Sequence, residues 1–314
     1  VGTFSLPFAD ITGWRECCTS DLRPPRECLG KSPARFYMFA SEIVMGRATA
    51  RCNSFDIAND AERGLDGKEF FLVFQPKLRS QTGLLSGFES LLRWSHPKYG
   101  ILMPSEFIAV VENSPLTCRF TDFILGESAR TLADWADRGY GGLSLSINLP
   151  AREITENGMV KKLFSNLDEH AVQAERFQIE LTESINPGPI DVLNDAVASI
   201  REVGISVAID DFGAGCWSLS MLHRLAIDTV KLDGSFIRDI HKNSESRIVV
   251  EALISLGKRL GKRIVIEGVE TEAQFEWLNT MPEIDCQGYY ISEPVQESKI
   301  DGIIEKHGIL VPRY

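Results

Sequence analysis

Short apolar runs alternate with longer amphipathic ones from residue 69 onward. The short runs predict strands at 70–75 (FFLVFQ), 85–93, 143–148, 176–182, 205–210 (ISVAID), 228–233, 263–267 and 284–287. The longer runs space their apolar residues at three and four. They predict helices at 104–113, 119–138, 189–203, 245–260 and 271–279, the first opened by Pro104 in a first-turn position. Strands interleaved with helices in this way suit a closed parallel α/β barrel. One connection departs from that scheme. Only PKLRSQTGL joins the first two strands, which is too short for a crossover helix, so a hairpin and one antiparallel strand are expected there.

Upstream the pattern changes. SDLRPPRECLGKSP, within residues 1–40, is rich in proline and charge without periodicity and reads as irregular. Residues 41–66 read as helix, with Asn53 and Ser54 as a point of interruption. The chain starts at Val1 rather than Met, so it reads as a fragment or processed form, with any sensory module or membrane anchor outside it. Residues 1–14 lack the features of a signal peptide. No apolar stretch approaches the roughly 18 residues of a membrane span.

Composition narrows the function classes. Apolar residues make up 44% and charged residues 25%, an ordinary globular balance. A net charge of −11, with no long basic run, disfavours duplex nucleic acid as partner. An acidic chain still accommodates an anionic nucleotide if metal ions supply positive charge locally. The seven cysteines form no C-x-x-C pair or zinc-type cluster, and free thiols in a cytoplasmic setting are expected.

The chemistry-bearing residues fall at strand ends. Asn148, Glu180 with Glu183 just beyond, Asp210, Asp211, Lys231, Glu267 and Gln287 all stand there, and Glu89 lies inside the second strand. In a parallel barrel those ends converge on one face. Taken singly, Glu89, Glu180 or Glu267 is better read as a helix cap or a salt-bridge partner. Together they form an oxygen-only donor set, and none of the five histidines ends a strand, which favours Mg²⁺ or Mn²⁺ over Zn²⁺. So many carboxylates suit two cations sharing a bridging ligand, an arrangement used for phosphodiester hydrolysis. Lys231 would face the barrel mouth, to orient or help deprotonate a bound water. A barrel enolase or aldolase would need a glycine-rich phosphate loop late in the chain, and none is seen.

The motifs resemble the EAL domain family, bacterial phosphodiesterases of cyclic di-GMP. They are FLVFQPKL (71–78), FESLLRW (88–94), SINL (146–149), ELTES (180–184), DDFGAG (210–215), KLDGSF (231–236), EGVET (267–271) and CQGYYISEP (286–294). The resemblance implies a modified TIM-type (β/α)8 barrel over residues 66–314, with one antiparallel strand near its start and a short extension at 1–65. It implies hydrolysis of cyclic di-GMP to linear pGpG in second-messenger control of biofilm and motility, with two divalent cations as cofactors. By the same resemblance Glu89, Asn148, Glu180 and Asp210 hold one ion, Asp210 bridges, and Asp211 binds the second. Lys231 holds the attacking water, and Glu267 and Gln287 complete the shell. Gln75 and Arg93 contact substrate, while Glu183 and Glu270 support the neighbouring loops. The loop at 212–221 is expected to join the site to a homodimer interface. Three departures stand out: Ser90 for the usual alanine, Pro150 for serine, and GCWSLSML, which brings Cys216 and Trp217 into the loop. The competing reading is a non-catalytic cyclic di-GMP receptor signalling through its dimer. Such receptors have ordinarily lost signature residues, which are present here. No GGDEF-like stretch is found.

Overall fold

The structure is a computed structural model that describes residues 54–182, 189–215 and 217–310. Its strands are β1 (Phe70–Arg79), β2 (Leu85–His96), β3 (Gly100–Leu102), β4 (Ser144–Pro150), β5 (Phe177–Thr182), β6 (Ser206–Phe212), β7 (Thr229–Leu232), β8 (Arg263–Ile266) and β9 (Asp285–Cys286). The order β1-β9-β8-β7-β6-β5-β4-β2, closed by pairing of β1 with β2, makes an eight-stranded barrel, with β3 hairpinned on the outside of β2. β1 is antiparallel to both its neighbours, and every other pair around the barrel is parallel. The short first connection therefore does what its length dictates.

Successive side chains of a strand point to opposite faces, and here the two faces differ in chemistry. Leu145, Ile147 and Leu149 of β4, Phe177, Ile179 and Leu181 of β5, and Val207 and Ile209 of β6 all belong to the main core. They pack outward against α3 (Thr117–Asp137), α5 (Met159–Glu169), α6 (Ile190–Glu202) and α8 (Ser244–Arg259) through residues such as Leu132, Trp135, Leu163, Val197 and Ile254. The alternate positions meet across the lumen instead. Lys77 Nζ donates to Ser146 Oγ at 2.7 Å, and Gln178 Nε2 donates to Thr229 Oγ1 at 3.0 Å. Barrels of this kind usually fill the lumen with bulky branched residues. This one lines much of it with hydrogen-bonded polar groups, beside Ala208 and Val265, and places its main hydrophobic core outside the barrel wall.

A second core lies beside β2 and β3. Ile57 and Ala61 of α1 (Ser54–Asp66) join Phe70, Trp94, Phe107 and Phe120 there. The Phe70 and Trp94 rings stack at 4.8 Å, and Trp94 Nε1 donates to Glu69 at 2.9 Å. This core explains one departure from the expected elements. The helix predicted over 104–113 is split into a single 3₁₀ turn, Pro104–Glu106, and α2 (Ile108–Glu112). At the break Phe107 takes φ −141°, and its side chain is buried in the cluster. Of the helix expected over 41–66, residues 54–66 form α1, and the rest lies outside the described residues. The remaining helices are α4 (Ala151–Ile154), α7 (Leu219–Arg224), α9 (Glu272–Asn279) and α10 (Ile300–His307). None of the described helices is long and apolar enough to cross a membrane.

Candidate metal centre

At the C-terminal mouth of the barrel one lysine sits among four acids. Lys231 on β7 is fully buried, and its Nζ lies 2.5 Å from Glu180 Oε2, 2.8 Å from Asp210 Oδ1, 2.9 Å from Glu267 Oε1 and 3.2 Å from Glu89 Oε2. Strand register brings these groups together. Asn148 is paired with Glu180 across β4 and β5, and Gln75 with Glu89 across β1 and β2. Glu89 receives Asn148 Nδ2 on Oε1 at 2.6 Å and Gln287 Nε2 on Oε2 at 2.6 Å. Gln287 Nε2 also donates to Gln75 Oε1 at 2.8 Å.

Asp210 and Asp211 converge although neighbouring strand residues normally diverge. The register slips between Ile209 and Phe212, and Asp211 takes φ +49°. A bulge of this kind re-aims a side chain, and aspartate tolerates the left-handed region better than most residues. Gly213 follows at φ +101°, where an added Cβ would stand 2.1 Å from the Phe236 ring. The result is two acidic triads with one member in common. Glu89, Glu180 and Asp210 form the first, and Asp210, Asp211 and Glu267 the second, with ligand oxygens within 4.8 Å of one another in each.

The charges are not independent. Burial, followed by the Glu180 carboxylate, raises Glu89 to about 7 against the pull of Lys231. Burial likewise holds Glu267 well above the usual carboxylate range. Burial would raise Glu180 too, but Lys231 and Lys77 overcome it and bring this group down to about 2. Burial works against the Lys231 ammonium, yet Asp210, Glu180, Glu267 and Glu89 together keep it protonated far beyond its ordinary range. In this form Lys231 donates; it has no lone pair with which to accept a proton.

The donor set fits hard divalent cations. Asn148 Oδ1, Gln287 Oε1 and Glu267 Oε2 are buried acceptors without a hydrogen-bond donor among the described residues. Asp210 Oδ1 meets Lys231 as an ion pair but without hydrogen-bond geometry. Such orphaned oxygens are costly unless a cation or water serves them. The set contains only oxygen, as Mg²⁺, Mn²⁺ and Ca²⁺ require.

The other expected residues are placed as follows. Gln75 is buried and donates to the Ser292 carbonyl at 3.2 Å. Arg93 lies four residues beyond Glu89 on β2 and donates to the Leu92 carbonyl at 2.8 Å, and burial lowers its pKa. Glu270 is exposed and lines a cavity of about 300 Å³ together with Asp211, Asp233, Arg238 and Glu267. Glu183 and Cys216 lie outside the described residues. Two features escaped the sequence reading. Lys77 reaches Glu180 Oε1 from below at 3.3 Å; its signal was the same-face spacing from Gln75. An apolar cavity of about 410 Å³, lined by Leu72, Leu91, Ile108, Val111 and Phe120, runs alongside Glu89, Asn148 and Asp210, and burial raises the pKa of Glu112 in its wall.

With this geometry in view, the comparisons with known proteins agree on one family. The EAL domain model matches residues 58–294. The chain is 31% identical over 244 residues to the bifunctional diguanylate cyclase/cyclic di-GMP phosphodiesterase MucR of Pseudomonas aeruginosa, covering 78% of this chain and 36% of that protein. It is 31% identical over 306 residues to the cyclic di-GMP phosphodiesterase PA2567 of the same organism, covering 96% of this chain and 51% of that one. The chain thus spans about half, or less, of the length of these curated relatives. Among solved structures it is similar to the PaMucR phosphodiesterase in complex with c-di-GMP (TM-score 0.73, 31% identity, 78% of this chain and 99% of that one). It is also similar to an EAL domain protein from Listeria monocytogenes EGD-e (TM-score 0.69, 30% identity, 81% and 98%).

Proposed function

Because this chain belongs to the EAL domain family, we propose that it hydrolyses cyclic di-GMP to linear pGpG at the mouth of its barrel. The observation that carries this reading is the pair of acidic triads joined through Asp210. Two divalent cations, Mg²⁺ or Mn²⁺, would supply charge stabilisation at the phosphate and a water acidified enough to attack. Glu89, Asn148, Glu180 and Asp210 would hold one ion. Asp210, Asp211 and Glu267 would hold the other, and the side-chain oxygen of Gln287 would complete the shell. Lys231, an ammonium ringed by acids, orients the attacking water by donating hydrogen bonds. Gln75 and Arg93 position the dinucleotide, the guanidinium being suited to a phosphate oxygen. The apolar cavity beside the first triad offers room for an aromatic base. Glu270 and Glu183 support the loops around the second triad.

The reading extends to a cytoplasmic setting, to a role in biofilm and motility signalling, and to a homodimer through residues 212–221, where Leu219 is exposed. A sensory module or anchor upstream of residues 1–65, and the boundary of the barrel at residue 66, belong to the same proposal.

The test is direct. Purified protein, Mg²⁺ or Mn²⁺ and cyclic di-GMP are incubated and the products separated. We expect pGpG, abolished by a chelator, and a loss on the order of 10³-fold in Asp210→Ala, comparable to removing a principal electrostatic stabiliser. Wild-type turnover in Asp210→Ala, or no pGpG from the wild-type chain after long incubation, would overturn the proposal; binding of cyclic di-GMP without any pGpG would favour a receptor.

A further inference from the structure

Glu180 is the one acid of the centre that faces two lysines, one on each oxygen. Lys231 Nζ holds Oε2 at 2.5 Å from the rim side, and Lys77 Nζ holds Oε1 at 3.3 Å from the floor side. The carboxylate is fully buried, so neither oxygen turns to solvent. The two lysines differ in what else they hold. Lys231 is shared among four acids and occupies the middle of the ring where cationic charge is called for. Lys77 is tied below the ring to neutral groups, Ser146 Oγ at 2.7 Å and Gln178 Oε1 at 3.5 Å, and Glu180 is its single acidic contact among the described residues. Its backbone is fixed in β1, opposite Gly87 of β2.

A divalent ion held at the mouth would share the charge-balancing role of Lys231, while Lys77 stays tied below the ring to Ser146 and Gln178. Glu180 Oε1 stays bonded to the Lys77 ammonium, and only Oε2 is offered to the ion. We infer that Lys77 is a positioning residue that restricts Glu180 to one-oxygen coordination and thereby sets the cation preference of the centre; the inference rests on the two-cation reading above. Mg²⁺ demands a near-octahedral shell with one oxygen from each carboxylate, whereas the larger Ca²⁺ takes six to eight oxygens and readily accepts both oxygens of one carboxylate. Lys77 denies the second oxygen to Ca²⁺ but not the single oxygen that Mg²⁺ and Mn²⁺ take. Partners that stand behind a ligand commonly tune metal affinity by 10–100-fold.

The experiment titrates Mn²⁺ and Ca²⁺ separately into the metal-free chain by calorimetry, in wild type, Lys77→Met and Lys77→Gln, without substrate. Removing a positive charge strengthens every cation, so the readout is the ratio of the two dissociation constants. In Lys77→Met, which keeps the length of the stem, the preference for Mn²⁺ over Ca²⁺ should fall by about tenfold. In Lys77→Gln, which keeps a neutral donor, it should fall by less. Circular dichroism establishes which variants are folded, and an unchanged ratio in either folded variant overturns the inference. Failure of the underlying reading looks different: wild type would then bind neither ion, or bind both equally well after Asp210→Ala.

Discussion

Glu89 and Lys231 carry the electrostatic logic at the scale of single residues. Glu89 touches Lys231, Asn148 and Gln287 at once, and burial still lifts its pKa to about 7. A protonated carboxyl is a poor ligand, so a cation must displace the proton to bind. The sign follows from the raised pKa. Below about 7 the proton competes with the metal, and above it the carboxylate is free to bind. Mn²⁺ affinity should therefore rise by about tenfold between pH 6 and pH 8 on account of this one group, with proton release on binding. Titration in two buffers of different ionisation enthalpy measures both quantities. Affinity independent of pH would show that Glu89 is already ionised or does not bind the ion. Most of these residues were legible in the sequence because each ends a strand, and alternation fixes the face of a strand end. Lys77 was not, because a lysine inside a strand ordinarily reads as solvent-facing, and only the closed barrel shows that its face is the lumen. The convergence of Asp210 with Asp211 was hidden for a related reason: regular alternation would separate them, and the bulge at Ile209–Phe212 is a backbone feature that side-chain pattern does not announce.

At the scale of elements, the centre depends on how closely the last strands approach one another. Gly288 follows Gln287, and a Cβ there would stand 2.2 Å from the backbone nitrogen and oxygen of Val269, just past Glu267. Gly288→Ala must push β9 away from the segment after β8, separating Gln287 from Glu267. We expect a loss of about 1–3 kcal/mol in stability and weaker Mn²⁺ binding, read by thermal melting and calorimetry. Gly302 of α10 is the control, since an added Cβ meets nothing within 4 Å. Gly302→Ala should leave metal binding unchanged and stabilise the helix by up to about 1 kcal/mol. Equal damage from both substitutions would contradict the account. The eight barrel strands and the reversed direction of β1 could be read from run length and one short link. β3 could not, because three residues carry no periodicity. The break at Phe107 could not either, since it is set by burial in a core whose other members include residues of α1, α2, α3, β1, β2 and β3.

At the scale of the molecule, stability and chemistry occupy separate shells. The hydrophobic core lies between barrel wall and helices, where Trp135, Leu132, Ile147 and Val197 are fully buried. The lumen is left to polar side chains, stacked from Ser146, Gln178 and Thr229 on the floor to Glu180 and Lys231 at the mouth. A column of buried charge of this kind is expensive without partners. Its cost is offset by ion pairs between acids and lysines, and the two acidic triads at the rim are the place where cations would offset the rest. Anomalous diffraction from crystals grown with Mn²⁺ locates that pair of cations. Two peaks are expected at the barrel mouth about 3.5–4 Å apart, on either side of Asp210, with Glu89, Asn148 and Glu180 near one and Asp211 and Glu267 near the other. A single peak, or peaks remote from Asp210, would contradict the two-cation reading.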